Sequence, residues 1–199
     1  MQIILFNSPP GSGKTTAAQL LYDVFDKYED VHVFKYAFSR PLKEATHAMY
    51  GIDYPWDAFE PTKDLPQEKF FGLTPRQAYI KVSEEMVKPV LGNDHWGKVF
   101  AAHAEKFNML IGETVIIISD CGFKSEVDAL KKKIGADNIT LVRLTREGTS
   151  FVNDSRSYVE DKDIFTATFD NNGDIAELNK HMQMLGGIIL NSMGIYNDE

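Results

Sequence analysis

The residues best suited to chemistry stand together near the start of the chain, in Asn7-Ser8-Pro9-Pro10-Gly11-Ser12-Gly13-Lys14-Thr15-Thr16. Gly11 and Gly13 leave the backbone free to curl, so that successive N–H groups point at an anion. A helix beginning at Lys14 adds unpaired N–H donors and partial positive charge. Lys14 is placed to reach terminal phosphates, and the Thr15 hydroxyl to ligate Mg²⁺. The apolar run Ile3-Ile4-Leu5-Phe6 precedes the loop and Ala17-Ala18-Gln19-Leu20-Leu21 follows it. Strand, glycine loop, lysine, hydroxyl and helix make a phosphate-binding P-loop, with Ser8 where G-x-x-x-x-G-K-[ST] has its first glycine. The plain alternative is a glycine-rich turn that binds nothing.

Asp120 stands at the C-terminal end of a second apolar run, Thr114-Val115-Ile116-Ile117-Ile118-Ser119. There it could hold Mg²⁺, directly or through water, or simply cap the next helix. Cations recur in an otherwise acidic chain: Arg40 and Lys43, then Arg76, Lys81 and Lys88, then Arg143, Arg146 and Arg156. Lys81 and Lys88 are two helical turns apart and should share a face. Around a P-loop such residues suggest a second anionic substrate, with Arg146 and Arg156 closing over the transferring phosphoryl group. No acid follows the second strand, where Ala37-Phe38-Ser39-Arg40 stands. Transfer to an alcohol needs a carboxylate to position the hydroxyl, whereas an acceptor phosphate, with a second pKa of roughly 6, does not. Tyr36, Phe38, Tyr79 and Trp96 could contact a base or sugar, although core packing is the commoner fate of such rings.

These groups need a framework. Val31–Tyr36 alternates and reads as a second strand, so strand, helix and strand make a βαβ unit with a parallel sheet. The first helix should run to near Tyr28. Residues 38–110 carry helical patterns: one from Pro41 towards Tyr50 with Ser39 as cap, one opened by Thr74-Pro75-Arg76-Gln77 and ending near Lys88 before Pro89, and one from about His95 to Leu110 capped by Asp94. Between them, 52–72 reads as a loop ordered by Trp56, Phe59 and Phe70-Phe71. The sheet resumes at Thr114, followed by a helix over about Ser125–Ile134 and strands over Asn138–Leu144 and Ile164–Phe169, with a last helix from about Ile175 to Leu185. The intervening 145–163 is polar and reads as mobile. The fold class is α/β: a P-loop NTPase fold of three α/β/α layers on a five-stranded parallel sheet. It forms a single domain over 1–199, with the core at 1–37 and 111–199, a helical acceptor-binding insertion at 38–110 and a short lid at 146–163.

The chain has 199 residues, 43% hydrophobic and 25% charged, which suits one good core. Its net charge of -8 argues against a broad nucleic-acid or anionic-membrane surface. The single cysteine, Cys121, excludes an internal disulfide and suits a reducing cytoplasm. No signal peptide or membrane-spanning run is evident, and the histidines lack metal-ligand spacing.

Taken together, the chain resembles the deoxynucleoside monophosphate kinases of tailed bacteriophages, within the nucleoside monophosphate kinase group. The P-loop, Pro10 before Gly11 included, resembles the nucleotide-kinase form. Phe38-Ser39-Arg40-Pro41-Leu42-Lys43 resembles that family's A-x-P-L-K segment, and Lys63-Asp64 with Pro66, then Thr74-Pro75-Arg76, its K-E-x-P and T-P-R segments. Glu85, Lys88 and Trp96 fall at its glutamate, arginine and tryptophan positions. Ser119-Asp120-Cys121-Gly122-Phe123 with Glu126 resembles its strand-end D-x-R-F-x-x-E, and Arg146 with Asp154-Ser155-Arg156 its lid. The resemblance implies phosphoryl transfer from ATP to a deoxynucleoside monophosphate, with Mg²⁺, in the cytoplasm (a host's, if phage-encoded), by a monomer or homodimer. It implies that Pro10, Gly11, Ser12, Gly13, Lys14, Thr15 and Thr16 bind ATP, with Thr15 and Asp120 at the metal. Phe38, Arg40, Lys43, Arg76, Lys81, Glu85, Lys88 and Trp96 would line the acceptor site, and Lys14, Arg146 and Arg156 would act in catalysis. Ser8, Lys88 and Gly122 depart from the pattern, the last two standing where the family has arginines. Two alternatives remain: a P-loop kinase of an alcohol, using Asp53, Asp57 or Asp64, and a degenerate protein that binds ATP without transferring phosphate.

Overall fold

A computed structural model describes residues 1–107, 112–152 and 154–195, side chain of residue 105 excepted. Five strands form one sheet: β1 (Gln2–Phe6), β2 (Val31–Tyr36), β3 (Glu113–Ile118), β4 (Ile139–Thr145) and β5 (Phe165–Asp170). All neighbouring pairs are parallel, in the order β2-β3-β1-β4-β5. The helices are α1 (Lys14–Phe25), α2 (Arg40–Met49), α3 (Pro75–Lys81), α4 (Lys88–Leu91), α5 (His95–Phe107), α6 (Lys124–Ile134) and α7 (Ile175–Ser192).

The central strands read as unbroken apolar runs because both sheet faces are covered. Strand alternation divides β1 between two cores. Ile4 and Phe6 pack with Leu21, Phe25, Leu178 and Met182 from α1 and α7, while Ile3 and Leu5 pack with Phe100, Ala104, Val127 and Leu130 from α5 and α6. This is the three-layer P-loop NTPase architecture expected, with the P-loop at the C-terminal edge of the sheet beside the β1–β3 pair.

Several local readings are corrected. The first helix ends at Phe25, three residues short of Tyr28, with the Asp26 amide bonded to the Tyr22 carbonyl. Ser39 has helical dihedrals and its side chain caps nothing. The capping box at Thr74 is formed, Gln77 N donating to Thr74 Oγ1 and Thr74 N to Gln77 Oε1. The helix it opens does not stop before Pro89. It widens into a π-helical stretch, Val82–Val87, in which the Lys88 amide reaches back to the Ser83 carbonyl, and continues as α4. A proline lacks the amide hydrogen and crowds the carbonyl four residues earlier, and a wider turn relieves both problems. The π stretch also upsets the common face expected for Lys81 and Lys88: Lys81 is exposed, while the Lys88 side chain is 11% exposed.

The insertion has its own small core of Ile52, Phe70, Ala78 and Tyr79, with Leu42, Tyr50 and Phe59 against it. Phe70 belongs to it, but Phe71 is 81% exposed at φ 54 and closes a short turn instead. The last helix passes Leu185 and its Gly186-Gly187 pair to reach Ser192. A Cβ on Gly186 would lie 2.6 Å from Val24 Cγ1, so this glycine lets α7 approach α1 rather than ending the helix.

The segment after β4 is irregular but fastened. Val159 is 2% exposed, Tyr158 Oη donates to the Leu144 carbonyl at 3.1 Å, and Asp161 accepts from Lys131 at 2.7 Å and Lys124 at 3.1 Å. The end expected for α5 at Leu110, and the boundary drawn there, lie outside the described residues. No helix among the described residues is long and apolar enough to cross a membrane.

Candidate active site

The P-loop is held from three sides by polar side chains. Asn7, fully buried, donates to the carbonyls of Cys121 (3.1 Å) and Ser157 (3.0 Å) and accepts from the Val159 amide (2.7 Å). Ser8, where a glycine was expected, is also buried, and its Oγ accepts the Leu144 amide at 2.6 Å. The departure therefore ties the loop to β4. Asn171, just after β5, donates to the Ser12 carbonyl at 2.8 Å. Gly13 has φ 92, and a Cβ there would lie 2.4 Å from Asn171 Nδ2, so backbone conformation and close approach both require glycine. Asn7 and Asn171 were missed in the sequence. Their only signal was a polar residue at the first step beyond a strand, β1 for Asn7 and β5 for Asn171.

Lys14 folds back on the loop, donating to the carbonyls of Ser8 (2.5 Å) and Pro9 (2.6 Å). Burial, then the nearby Arg156 cation, lower its pKa to about 8, against the opposing pull of Asp154 and Asp120. Beside the loop lies a cavity of about 380 Å³ lined by Thr15, Thr16, Gln19, Lys35 and Ser119 among others. Lys35 reaches it from β2, donating to Gln19 Oε1 at 2.5 Å. Sequence reading passed over this lysine as part of a strand alternation.

Asp120 does something neither sequence alternative foresaw. Its two oxygens accept the amides of Phe38 (2.9 Å) and Ser39 (3.0 Å). It thus holds the two amides just ahead of Arg40, where α2 begins, and ties the start of the insertion to the end of β3. A magnesium ion still suits the place. Thr15 and Asp120 offer hard oxygen donors, and a carboxylate accepting two hydrogen bonds keeps lone pairs for a metal-bound water. Among the described residues no cluster of three or more His, Cys, Asp or Glu side chains could hold a metal ion.

Arg156 is the best-defined cation. Its Nε and Nη2 donate to Asp154 Oδ1 (2.9 Å) and Oδ2 (2.6 Å), a bidentate clamp. Its stem runs across Gly122, where a Cβ would lie 2.2 Å from Arg156 Cδ. The glycine that looked like a lost arginine is covered by another arginine's stem. Arg146 is exposed, and its guanidinium has no partner among the described residues. Hydrogen bonds from Arg156 are the main cause holding Asp154 below the ordinary carboxylate range, and Arg76 adds to it from across the cleft.

On the insertion side, each of four candidate cations already holds a carboxylate. Arg40 pairs with Glu44 (2.8 Å), Lys43 with Glu60, Arg76 with Asp64 (2.5 Å) and Lys88 with Glu84 (2.6 Å). Lys43 Nζ also lies 4.8 Å from the Trp56 ring centre, and Lys88 Nζ 4.3 Å from that of Phe123. Glu85 and Lys81 are exposed. Phe38 and Trp96 are 2% and 7% exposed: Phe38 packs edge-on to Phe100, and Trp96 Nε1 donates to Ser83 Oγ at 3.3 Å. Their rings therefore belong to the packing behind the site rather than to its surface. Behind them Glu126 is buried, and burial, then Asp120, raise its pKa to about 8.

No protein-family model matches the chain. A protein of Acanthamoeba polyphaga mimivirus named "Putative deoxynucleotide monophosphate kinase" is 28% identical over 158 residues, covering 75% of this chain and 77% of its own length. Among solved structures, that of APE1195 superposes with a TM-score of 0.51 at 12% identity, covering 95% of this chain and 96% of its own. A gluconokinase from Sinorhizobium meliloti 1021 gives 0.48 at 13% identity, covering 96% and 95%.

Proposed function

We propose that this protein is an ATP-dependent kinase that transfers the γ-phosphoryl group to the phosphate of a deoxynucleoside monophosphate, giving the diphosphate. The observation that carries the reading is the gathering of cations around the P-loop beside a strand-end carboxylate that is already engaged. Arg156 lies near enough to Lys14 to oppose its protonation, and Arg76 of the insertion near enough to Asp154 to favour its charged form. The strand-end carboxylate nearest the loop, Asp120, has both oxygens engaged by backbone amides. Cations gathered in this way suit an acceptor that brings its own negative charge. The mimivirus relative supports the nucleotide acceptor by its name.

In this reading the P-loop amides and Lys14 hold the β- and γ-phosphates of ATP, and Thr15 and Asp120 would hold Mg²⁺, Asp120 directly or through water. Bound Mg²⁺ would neutralise charge on the phosphates. Arg156 and Arg146 stabilise charge on the transferring group. An acceptor phosphate oxygen is an adequate nucleophile at neutral pH, so the protein's task is to place it in line and offset its charge with Arg40, Lys43, Arg76 and Lys88. Each of these residues would exchange its present carboxylate partner for phosphate.

The test is product formation with ATP, Mg²⁺ and each common deoxy- and ribonucleoside monophosphate, with Lys14→Ala as control. Diphosphate from one or more deoxynucleotides, lost in Lys14→Ala, is the expected result. Turnover only of unphosphorylated nucleosides or sugars, or full activity in Lys14→Ala, would overturn it.

A further inference from the structure

Gly122 lies just beyond β3, at the mouth of the P-loop, and its φ is outside the left-handed region. Its lack of a side chain is therefore a matter of space rather than of backbone conformation. A Cβ at Gly122 would lie 2.2 Å from Arg156 Cδ, 2.3 Å from Cγ and 2.9 Å from Cβ. The last of these atoms is fixed to the backbone, so turning the tip of the arginine would not clear the clash. The two segments are also joined directly, the Ser157 amide donating to the Gly122 carbonyl at 3.4 Å.

The head of Arg156 is fixed separately. Asp154 accepts from Nε, from Nη2 and from the Arg156 backbone amide at 3.0 Å, which sets both the plane and the direction of the guanidinium. Two of five side-chain N–H donors are spent on Asp154. The other three have no protein partner among the described residues. The head also lies near enough to Lys14 to oppose its protonation. Two cations held together with donors to spare mark the place of an anion.

We propose that Gly122 and Asp154 are positioning residues that aim Arg156 at the phosphates carried by the P-loop. Gly122 provides bare backbone for the stem, and Asp154 clamps the head. An arginine fixed beforehand loses little freedom when charge develops in front of it, which is the condition for strong electrostatic stabilisation. The proposal rests on the phosphoryl-transfer reading.

The test is a cycle of Gly122→Ala, Arg156→Ala and the double variant, with thermal unfolding as a check on folding. Each single change is expected to lower kcat on the order of 10²-fold or more, with KM for ATP little altered. The double variant should be no slower than Arg156→Ala, because without the arginine Gly122 has nothing to seat. Losses that multiply in the double variant, or a wild-type kcat in Gly122→Ala, would overturn the proposal. Should Gly122→Ala fail to fold, the same cycle with Asp154→Asn takes its place under the same criteria. Affinity for ADP with aluminium fluoride, a planar mimic of the transferring group, is measured on the same proteins and needs no acceptor. If no acceptor is ever turned over, the function reading fails, and non-additive loss of that affinity still supports the positioning role while additive loss overturns it.

Discussion

Lys14 in the free protein sits in a contradictory environment. Two loop carbonyls accept its hydrogen bonds, yet burial and the Arg156 cation pull its pKa down to about 8. The unfolded chain keeps this proton to the ordinary lysine value, so protonated Lys14 disfavours folding below pH 8, and stability gains as pH rises from there towards 10.5. Phosphates reverse the sign, since they favour the charged form. ATP affinity should therefore be flat below about pH 8, fall about tenfold per pH unit above it, and bring uptake of about one proton at pH 9. Titration calorimetry in two buffers of different ionisation enthalpy would measure the uptake, and Lys14→Met should abolish it. No uptake at pH 9 would mean that Lys14 never meets the phosphates. A second residue acts through bonding alone. Asn7→Ala would strand buried backbone groups of Cys121, Ser157 and Val159, costing about 3 kcal/mol and lowering the melting temperature by roughly 10 °C. Asn7→Asp should do no better, because it sets an oxygen against two carbonyls. The positions of Lys14, Thr15 and Asp120 at the edge of the sheet were legible in sequence because each stands at a definite step of a loop, helix or strand end. The partners of Asp120 and Arg156 were not, because Asp120 serves the amides just ahead of α2, far behind it in the chain, and Arg156 lies across Gly122, well before it in the chain.

At the scale of elements, the parallel strands and the Thr74 cap were legible because apolar runs and capping boxes are local signals. Proline and glycine were misread because their meaning depends on what lies opposite. Pro89 is bypassed by a π-helical turn, and Gly186-Gly187 sits inside α7. The two glycines of this pair differ sharply. A Cβ on Gly186 meets Val24 at 2.6 Å, whereas one on Gly187 meets nothing within 4 Å. Gly187→Ala should therefore stabilise by up to about 1 kcal/mol through helix propensity. Gly186→Ala should destabilise by about 1–2 kcal/mol, because forcing α7 off α1 outweighs the same gain in propensity. Thermal or denaturant unfolding of the two variants would decide, and equal shifts of one sign would refute the close-packing role of Gly186.

At the scale of the whole molecule, the candidate cations of the insertion and of the segment after β4 are paired within their own segments. In the free state Arg40, Lys43, Arg76, Lys88 and Arg156 each hold a carboxylate of their own. In four of these five pairs one partner is more than a third exposed, so those pairs contribute little to stability and can be traded for phosphate at small cost. The sequence reading treated 146–163 as one lid. The structure divides it: the stretch from Ser157 to Asp163 is bonded to Asn7, Arg143, Lys124 and Lys131, while Arg146 at the start is exposed and unpartnered among the described residues. Closure over two substrates should then involve the helical insertion and the first half of the segment only. With two nucleotides joined through a phosphate chain as a saturating ligand, amide exchange should slow in 60–91 and 146–152 and stay unchanged in 157–163, whose bonds to Asn7, Arg143, Lys124 and Lys131 already hold it in the free protein. Slowing throughout 146–163 would restore the single lid. No change in either region would leave a cleft that binds without closing, and water would then have to be kept from the phosphoryl group by the substrates themselves.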